Sequence, residues 1–164
     1  MHTFHTSRRI EFADTDMAGI AHFSRFFVFL ESAEHEFLRA VGTSVHTRVG
    51  ADDIGWPRVR ASLDFLRPVR FEDVLDIRIW VRRKGRSSVT WGVEFSCGEE
   101  PVARGELVTA CCRLRPGSAP EAIAIPGGIA ELLEEAPPES PENPESSERT
   151  PSVVARTASG ETSA

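Results

Sequence analysis

Two aspartates stand two residues apart, directly before the strongest helical pattern in the chain. They are Asp14 and Asp16 in the turn-forming segment ADTDMAG. The first backbone N–H groups of a helix lack intrahelical partners and lie at the positive end of the helix dipole, so they can bind an oxyanion. A carboxylate a few residues upstream can act as a base or a nucleophile on the same bound carbonyl group. The pattern therefore indicates a possible site for attack on a carbonyl compound.

The same two aspartates also fit a purely structural role. Aspartate side chains accept hydrogen bonds from backbone N–H groups in turns and at the start of helices. Because aspartates are common in turns, the residues alone favour this structural interpretation of Asp14 and Asp16.

One short strand and one long helix must position this turn. The alternation of charged and apolar residues over Arg9–Phe12 predicts a strand. Apolar residues then recur at steps of three and four, which predicts a deeply buried helix that ends at Gly42. The residues of this apolar stripe are Phe23, Phe26, Phe27, Leu30, Ala33, Phe37, Leu38 and Val41.

Four further strands are predicted after the helix, beyond a connection without clear period at Thr43–Gly55. They span Val59–Phe65, Val74–Arg82, Ser87–Cys97 and Val102–Leu114. A strand, a helix and then an antiparallel meander is an α+β order. A sheet wrapped around one central helix fits this order.

Length and composition predict one ordered domain followed by an acidic tail. Seven acidic residues and two arginines follow residue 133, so five of the six net negative charges lie there. The nearly neutral remainder argues against a nucleic-acid-binding protein. We expect a domain over residues 1–135, in which Ile129–Glu135 forms a short docked helical turn. The Pro-, Glu- and Ser-rich segment 136–164 is expected to be disordered.

Cysteine usage and hydropathy predict a cytoplasmic protein without a metal site. Three cysteines, an odd number, have no metal-like spacing to the histidines, and fit a reducing compartment. The first residues are too few and too polar for a secretory signal, and no apolar run approaches the length of a membrane span.

A compact basic turn is predicted between the second and third strands of the meander. Arg83, Lys84 and Arg86 fall together there and are followed by Ser87 and Ser88. Such a turn is usually a solvated hairpin tip, but it also suits a phosphorylated ligand. The residues alone favour neither interpretation.

The segment from Asp14 to Phe23, DTDMAGIAHF, resembles the Asp-x-Asp-x-x-Gly signature of hotdog-fold acyl-CoA thioesterases of the 4-hydroxybenzoyl-CoA thioesterase family. The resemblance extends from Arg9 to about Arg115. It includes Trp56-Pro57, Phe65, the FEDVL segment at residues 71–75 and Gly85-Arg86-Ser87-Ser88-Val89. It implies a hotdog fold and an enzyme that hydrolyses an acyl-CoA thioester to a free acid and coenzyme A.

The resemblance also implies roles for individual residues. Asp16 would be the nucleophile or the general base, two routes that the sequence does not separate, and the backbone amide of Phe23 would bind the oxyanion. The candidates for acyl binding are Met17, Gly19, Ile20, Phe26 and Phe27. The candidates for coenzyme A binding are Lys84, Gly85, Arg86, Ser87 and Ser88. No metal and no cofactor is expected, since coenzyme A is part of the substrate.

His22 and Glu31 are weaker catalytic candidates. In one branch of the family the pair before the helix is Tyr-His, whereas here the histidine falls one position earlier, at His22, and could simply cap the helix. Glu31 lies near the position of an acidic residue in relatives, but it could equally be a charge on the helix surface.

The resemblance further implies a homodimer, or a tetramer of two dimers, with an active site shared between subunits. The main alternative is a hotdog module that binds acyl-CoA or an acyl-carrier protein without turnover, since a fold does not fix a function. A hotdog dehydratase or hydratase is a third interpretation, but its usual histidine context is missing around His22. The acyl group is left open by the sequence.

Overall fold

A computed structural model describes residues 1–137, and its centre is the helix α1, Phe23–Ala40. His22 is its N-cap, and Gly42, with a φ of +89°, follows its end. The buried face differs from the predicted stripe, because Phe29 belongs to it while Phe23 is 58% exposed and Phe27 is half-buried. The helix is therefore rotated so that Phe23 and Phe27 lie at its edge.

A five-stranded antiparallel sheet wraps around α1. Its strands are β1 (Thr3–Arg9), β4 (Arg58–Phe65), β5 (Val74–Lys84), β6 (Ser88–Cys97) and β7 (Glu100–Ala110), in the spatial order β1-β5-β6-β7-β4. This arrangement confirms the predicted α+β hotdog fold. The strands β1 and β4 form the two edges, so one side of β4 has no neighbouring strand among the described residues.

Three predicted element boundaries were wrong. The first strand is Thr3–Arg9 rather than Arg9–Phe12, because its pairing with β5 ends where Arg9 meets Val74. The supposedly irregular connection contains a hairpin of β2 (His46–Val49) and β3 (Asp52–Gly55). The last predicted strand is two strands, since the chain leaves β7 at Ala110 and joins β3 as β8 (Cys112–Leu114).

The C-terminal part of the described chain closes one end of the core. The two-residue strand β9 (Glu121–Ala122) completes a second sheet in the order β2-β3-β8-β9. The helix α2 (Gly127–Leu132) follows, and Ile129 within it and Leu133 after it are buried. It begins two residues before the expected helical turn and ends three residues before the expected end at Glu135. Apart from its first two residues, the predicted disordered tail lies outside the described residues. No helix in residues 1–137 is long and apolar enough to cross a membrane.

Gly105 in β7 permits a close approach of the edge strand. A Cβ atom built on Gly105 would lie 2.0 Å from the backbone oxygen of Ser62 and 2.9 Å from Cα of Leu63. Both are backbone atoms of β4, so they can make room only if the strand moves away from β7.

We therefore expect Gly105→Ala to lower the free energy of unfolding by about 1–3 kcal/mol through overpacking. Urea unfolding monitored by circular dichroism would measure this change. Gly128→Ala is the matched control, because nothing lies within 4 Å of its added Cβ and helix α2 tolerates alanine. Equal stability of the two variants would contradict the close approach.

Candidate active site

The two aspartates of the turn have different environments. Asp14 is buried, with 4% of its surface exposed. Its Oδ2 accepts a hydrogen bond from the backbone N–H of Glu11 at 2.9 Å, and its Oδ1 accepts one from Nε of Arg25 at 2.6 Å. Its backbone oxygen accepts from the N–H of His22 at 2.8 Å. Asp14 therefore fastens the turn to the first turn of α1.

Asp16 is exposed and its carboxylate is only partly engaged. Oδ1 accepts a hydrogen bond from the backbone N–H of Ala18 at 2.8 Å, while Oδ2 accepts none from residues 1–137. The backbone around it forms a tight turn, since the N–H of Gly19 donates to the oxygen of Asp16 at 2.9 Å. Gly19 has a φ of +72°, a conformation that glycine adopts without strain. The turn thus presents one free carboxylate oxygen.

The start of α1, seven residues after Asp16, offers a free backbone donor. Nδ1 of His22 accepts from the N–H of Ser24 at 3.4 Å and lies 2.8 Å from its hydroxyl oxygen, so His22 caps the helix. The N–H of Phe23 donates to no acceptor within residues 1–137. Because this N–H lies at the positive end of the helix dipole, it can stabilise an oxyanion.

Asp16 and Phe23 line one pocket of about 480 Å³ between the turn, the start of α1 and the end of β4. Its lining is mostly apolar and includes two aromatic rings that contact each other, Phe26 and Phe65, with centroids 5.3 Å apart. The complete lining is Asp16, Ile20, Ala21, Phe23, Phe26, Phe65, Leu66, Arg67, Pro68 and Val69. A carboxylate, a free N–H and an apolar wall together suit a carbonyl compound with an apolar acyl group.

The predicted acyl-binding residues are only partly brought together. Ile20 and Phe26 line this pocket, whereas Gly19 shapes the turn and Met17 is fully exposed outside the lining. Phe27 lies in a different cleft. The pocket wall after β4, from Leu66 to Val69, was not predicted, because those residues lie far from the motif in the sequence and reach it only through the folding of β4.

Glu31 lies in that second cleft, which has a volume of about 210 Å³ and lies between α1 and the strands β4 and β7. Its Oε1 is 3.2 Å from a terminal guanidinium nitrogen of Arg58. Glu31 and Asp16 therefore do not share a pocket within one chain. The adjoining Glu34 is fully buried, a feature that the sequence analysis missed because a glutamate on a helix is ordinarily exposed.

The basic turn predicted to bind coenzyme A also lies apart from Asp16 within one chain. Nζ of Lys84 donates to the backbone oxygens of Ala130 at 2.6 Å and Leu133 at 2.8 Å, so this ammonium group holds the α2 segment. Arg86 is exposed and forms no ion pair within residues 1–137. Of the predicted phosphate contacts, Arg86 thus retains a free cation, and Ser87 and Ser88 follow it.

Electrostatics and composition do not indicate a metal centre in the described part of the chain. Residues 1–137 contain no group of three or more His, Cys, Asp or Glu side chains that could hold an ion. Burial raises the pKa of the Cys111 thiol to about 11, which keeps this cysteine protonated and apolar in character.

Comparison with known proteins identifies relatives over most of the described chain. The family model of the thioesterase superfamily matches residues 18–104. A 1,4-dihydroxy-2-naphthoyl-CoA hydrolase from Synechocystis is 28% identical over 116 residues, covering 70% of this chain and 84% of that protein. One from Prochlorococcus marinus is 30% identical over 138 residues, covering 77% of this chain and 87% of that protein.

Solved structures share the same architecture. A 1,4-dihydroxy-2-naphthoyl-CoA thioesterase from Synechocystis superposes with a TM-score of 0.71 at 24% identity, covering 80% of this chain and 95% of that one. A variant of 4-hydroxybenzoyl CoA thioesterase in complex with 4-hydroxybenzoyl CoA gives 0.70 at 21% identity, covering 82% and 100%. At these identities the likeness supports the fold alone.

Proposed function

The chain belongs to the thioesterase superfamily, and from this premise we propose that it hydrolyses the coenzyme A thioester of a hydroxylated aromatic acid, with Asp16 as the catalytic carboxylate. Thioester hydrolysis itself follows from the family and from relatives named as CoA hydrolases. The acyl class and the roles of individual residues are the proposal.

The observation that carries the catalytic assignment is the pocket that Asp16 shares with Phe23, whose backbone N–H has no acceptor within residues 1–137. A thioester carbonyl with its oxygen near the Phe23 N–H would be polarised by that donor and by the helix dipole. Its carbon would then face the free oxygen of Asp16. This oxygen either attacks the carbon and displaces the coenzyme A thiolate, which gives an anhydride that water hydrolyses, or it deprotonates a water molecule that attacks the carbon and displaces the thiolate. Both routes need an ionised carboxylate next to the carbonyl, and a thioester has a good leaving group for either.

The aromatic acyl class is supported by the pocket lining and by the relatives. Phe23, Phe26 and Phe65 present ring faces and edges that can pack against an aromatic acyl group. The hydrolases from Synechocystis and Prochlorococcus marinus are both named for a dihydroxynaphthoyl thioester. Transferred to this chain, these names favour an aromatic substrate over an aliphatic one.

A homodimer is part of the proposal, because the edge of the sheet near the site is apolar and unpaired. Val59 of β4 is 63% exposed, Phe65 is 46% exposed and the neighbouring Val28 of α1 is 41% exposed. A second copy that adds its own β4 in antiparallel fashion would cover these side chains and pair the free edge. Pairing about the middle of β4 would place the Glu31 cleft of one subunit beside the Asp16 pocket of the other.

Thiol release from a panel of thioesters tests the acyl class. We expect 4-hydroxybenzoyl-CoA and related hydroxyaromatic thioesters to have a kcat/KM about fivefold or more above that of hexanoyl-CoA, since ring packing adds about 1 kcal/mol. Acetyl-CoA serves as a control without an apolar group. A preference for the aliphatic thioester would contradict the aromatic class, and binding of every thioester without hydrolysis would support a binding module instead.

A further inference from the structure

Glu34 is a fully buried carboxyl group that the catalytic proposal does not use. It lies on the sheet-facing side of α1 with none of its surface exposed. Its Oε2 accepts a hydrogen bond from a terminal guanidinium nitrogen of Arg58 at 2.7 Å, while its Oε1 has no hydrogen-bond partner among residues 1–137. Burying a carboxyl group with an unpaired oxygen is costly, so its presence calls for an explanation.

Arg58 is the first residue of β4, and it carries every polar contact between α1 and β4 in residues 1–137. The same nitrogen that binds Glu34 lies 3.2 Å from Oε1 of Glu31 and 2.7 Å from Nε2 of His35. Three side chains of the helix therefore converge on one guanidinium group of the edge strand. At the far end of β4 the link to α1 is apolar and consists of the contact between Phe26 and Phe65.

Both elements also contribute side chains to the lining of the Asp16 pocket. The helix supplies Phe23 and Phe26, while the end of β4 and the residue after it supply Phe65 and Leu66. The shape of this pocket therefore depends on how β4 lies against α1. A contact that fixes Arg58 on the helix limits how far this edge strand can shift away from α1, and the strand pairs with β7 at Arg58 and, beyond an irregularity in register, from Arg60 to Phe65.

We propose that Glu34 is a positioning residue, whose ionised carboxylate holds Arg58 and thereby β4 against α1, so that protonation of Glu34 loosens the wall of the Asp16 pocket. The kinetic consequence rests on the proposed function, whereas the contact itself does not. Desolvation of both groups offsets much of the attraction within a buried ion pair, so the proposal gives this pair a role in geometry and not in overall stability.

Burial, together with the charges around it, brings the pKa of Glu34 into the neutral range. Burial raises the pKa of Glu34 to about 7, Arg58 lowers it, and the like charge of Glu31 raises it again. The pKa of His35 is lowered by burial and by Arg58, which disfavours a second cation beside this guanidinium group. Ionised Glu34 is thus the buried counter-charge of Arg58 above pH 7, and below pH 7 only the half-exposed Glu31 remains.

The same shift has a defined effect on stability. Because the folded-state pKa lies above that of an unfolded glutamate, the folded protein binds more protons between pH 4.5 and 7, and this group makes the protein less stable as pH rises through that range. The proposed contact between Glu34 and Arg58 is therefore strongest above pH 7, where burial of the ionised Glu34 lowers the free energy of unfolding most.

The test measures KM for the best thioester of the panel between pH 6 and 8. For the native chain we expect KM to be about tenfold higher at pH 6 than at pH 8, since small misplacements at a site are amplified in its kinetics. Glu34→Gln should give a flat profile at the higher KM. The matched control Glu36→Gln, two residues further along α1 and paired with Arg8 of β1, should keep the native profile.

Hydrogen exchange of the β4 amides supplies a readout that does not need activity. Because ionised Glu34 also lowers the overall stability, the exchange of the β4 amides is compared with that of the interior strand β6 in the same protein. At pH 8 the ratio of β4 exchange to β6 exchange should be higher in Glu34→Gln than in the native chain, and at pH 6 the two ratios should agree. A native KM without a transition between pH 6 and 8, or identical exchange ratios of the two proteins at pH 8, would overturn the proposal. Failure to hydrolyse any thioester would instead contradict the proposed function. Hydrogen exchange of β4 would then still test the contact between Glu34 and Arg58.

Discussion

Asp16→Asn is expected to lower kcat for thioester hydrolysis by about 10²–10⁴-fold, the range for loss of a general base, while the protein keeps its fold. The amide can neither attack the carbonyl carbon nor accept a proton from water. It can still accept the hydrogen bond from the N–H of Ala18, which preserves the turn. Steady-state thiol release measures kcat, and the thermal midpoint of unfolding shows whether the variant keeps its stability.

Asp14→Asn is the matched control, because it makes the same chemical change two residues away. Its carboxylate is buried and accepts a charge-assisted hydrogen bond from Arg25, so we expect a loss of about 1–3 kcal/mol in unfolding free energy. Its main effect should therefore be on stability. If Asp16→Asn retained native turnover, or if it lost stability as Asp14→Asn does, the catalytic assignment would be wrong and Asp16 would be a turn residue.

A charge at the centre of β4 is expected to separate the subunits and abolish most of the activity. Ala61 is exposed on the edge strand near its midpoint, and it faces the cleft beside α1. In an antiparallel pairing of two β4 strands about this point, Ala61→Glu would bring two carboxylates close together, which is unfavourable. In a separated chain the same side chain would point into water, so folding should be unaffected.

Light scattering should then report the mass of one chain, 18.1 kDa, for Ala61→Glu and twice that mass for the native protein. We expect kcat/KM to fall by about 100-fold, because a site shared between subunits loses one of its walls. Ser7→Glu on the opposite edge strand β1 is the control and should stay dimeric and active. A monomer with full activity would disprove the shared site.

The sequence alone determined the elements whose signals are local. The apolar period from Phe23 and the glycine at position 42 predicted α1 to within one residue, since both act over a single helical turn. The alternation over Val74–Arg82 predicted β5, and the basic turn after it predicted the returning strand β6, because both signals lie in neighbouring residues. The signature around Asp16 also identified the family and the fold, which the comparisons confirmed.

Other features follow only from contacts between residues far apart in the chain. The hairpin of β2 and β3 lacks a period of its own and is stabilised by pairing with β8, about 60 residues later. Lys84 looked like a phosphate ligand, yet it binds two carbonyl groups near α2 that no local pattern could place. A lysine side chain can bind several kinds of acceptor, and only the folded structure determines which of them it reaches.

The candidate site likewise has one part that the sequence predicted and another that depends on the tertiary structure. The turn, the free carboxylate oxygen of Asp16 and the N–H of Phe23 lie within eight residues, so the sequence placed them together. Phe65 and Leu66 join the lining of the pocket only because of the way β4 lies along α1. The burial of Glu34 against Arg58 depends on the same arrangement. Local hydrogen bonding places the candidate catalytic groups of the turn. The pocket that they line arises from long-range packing, and a periodic pattern does not specify which distant residues pack together.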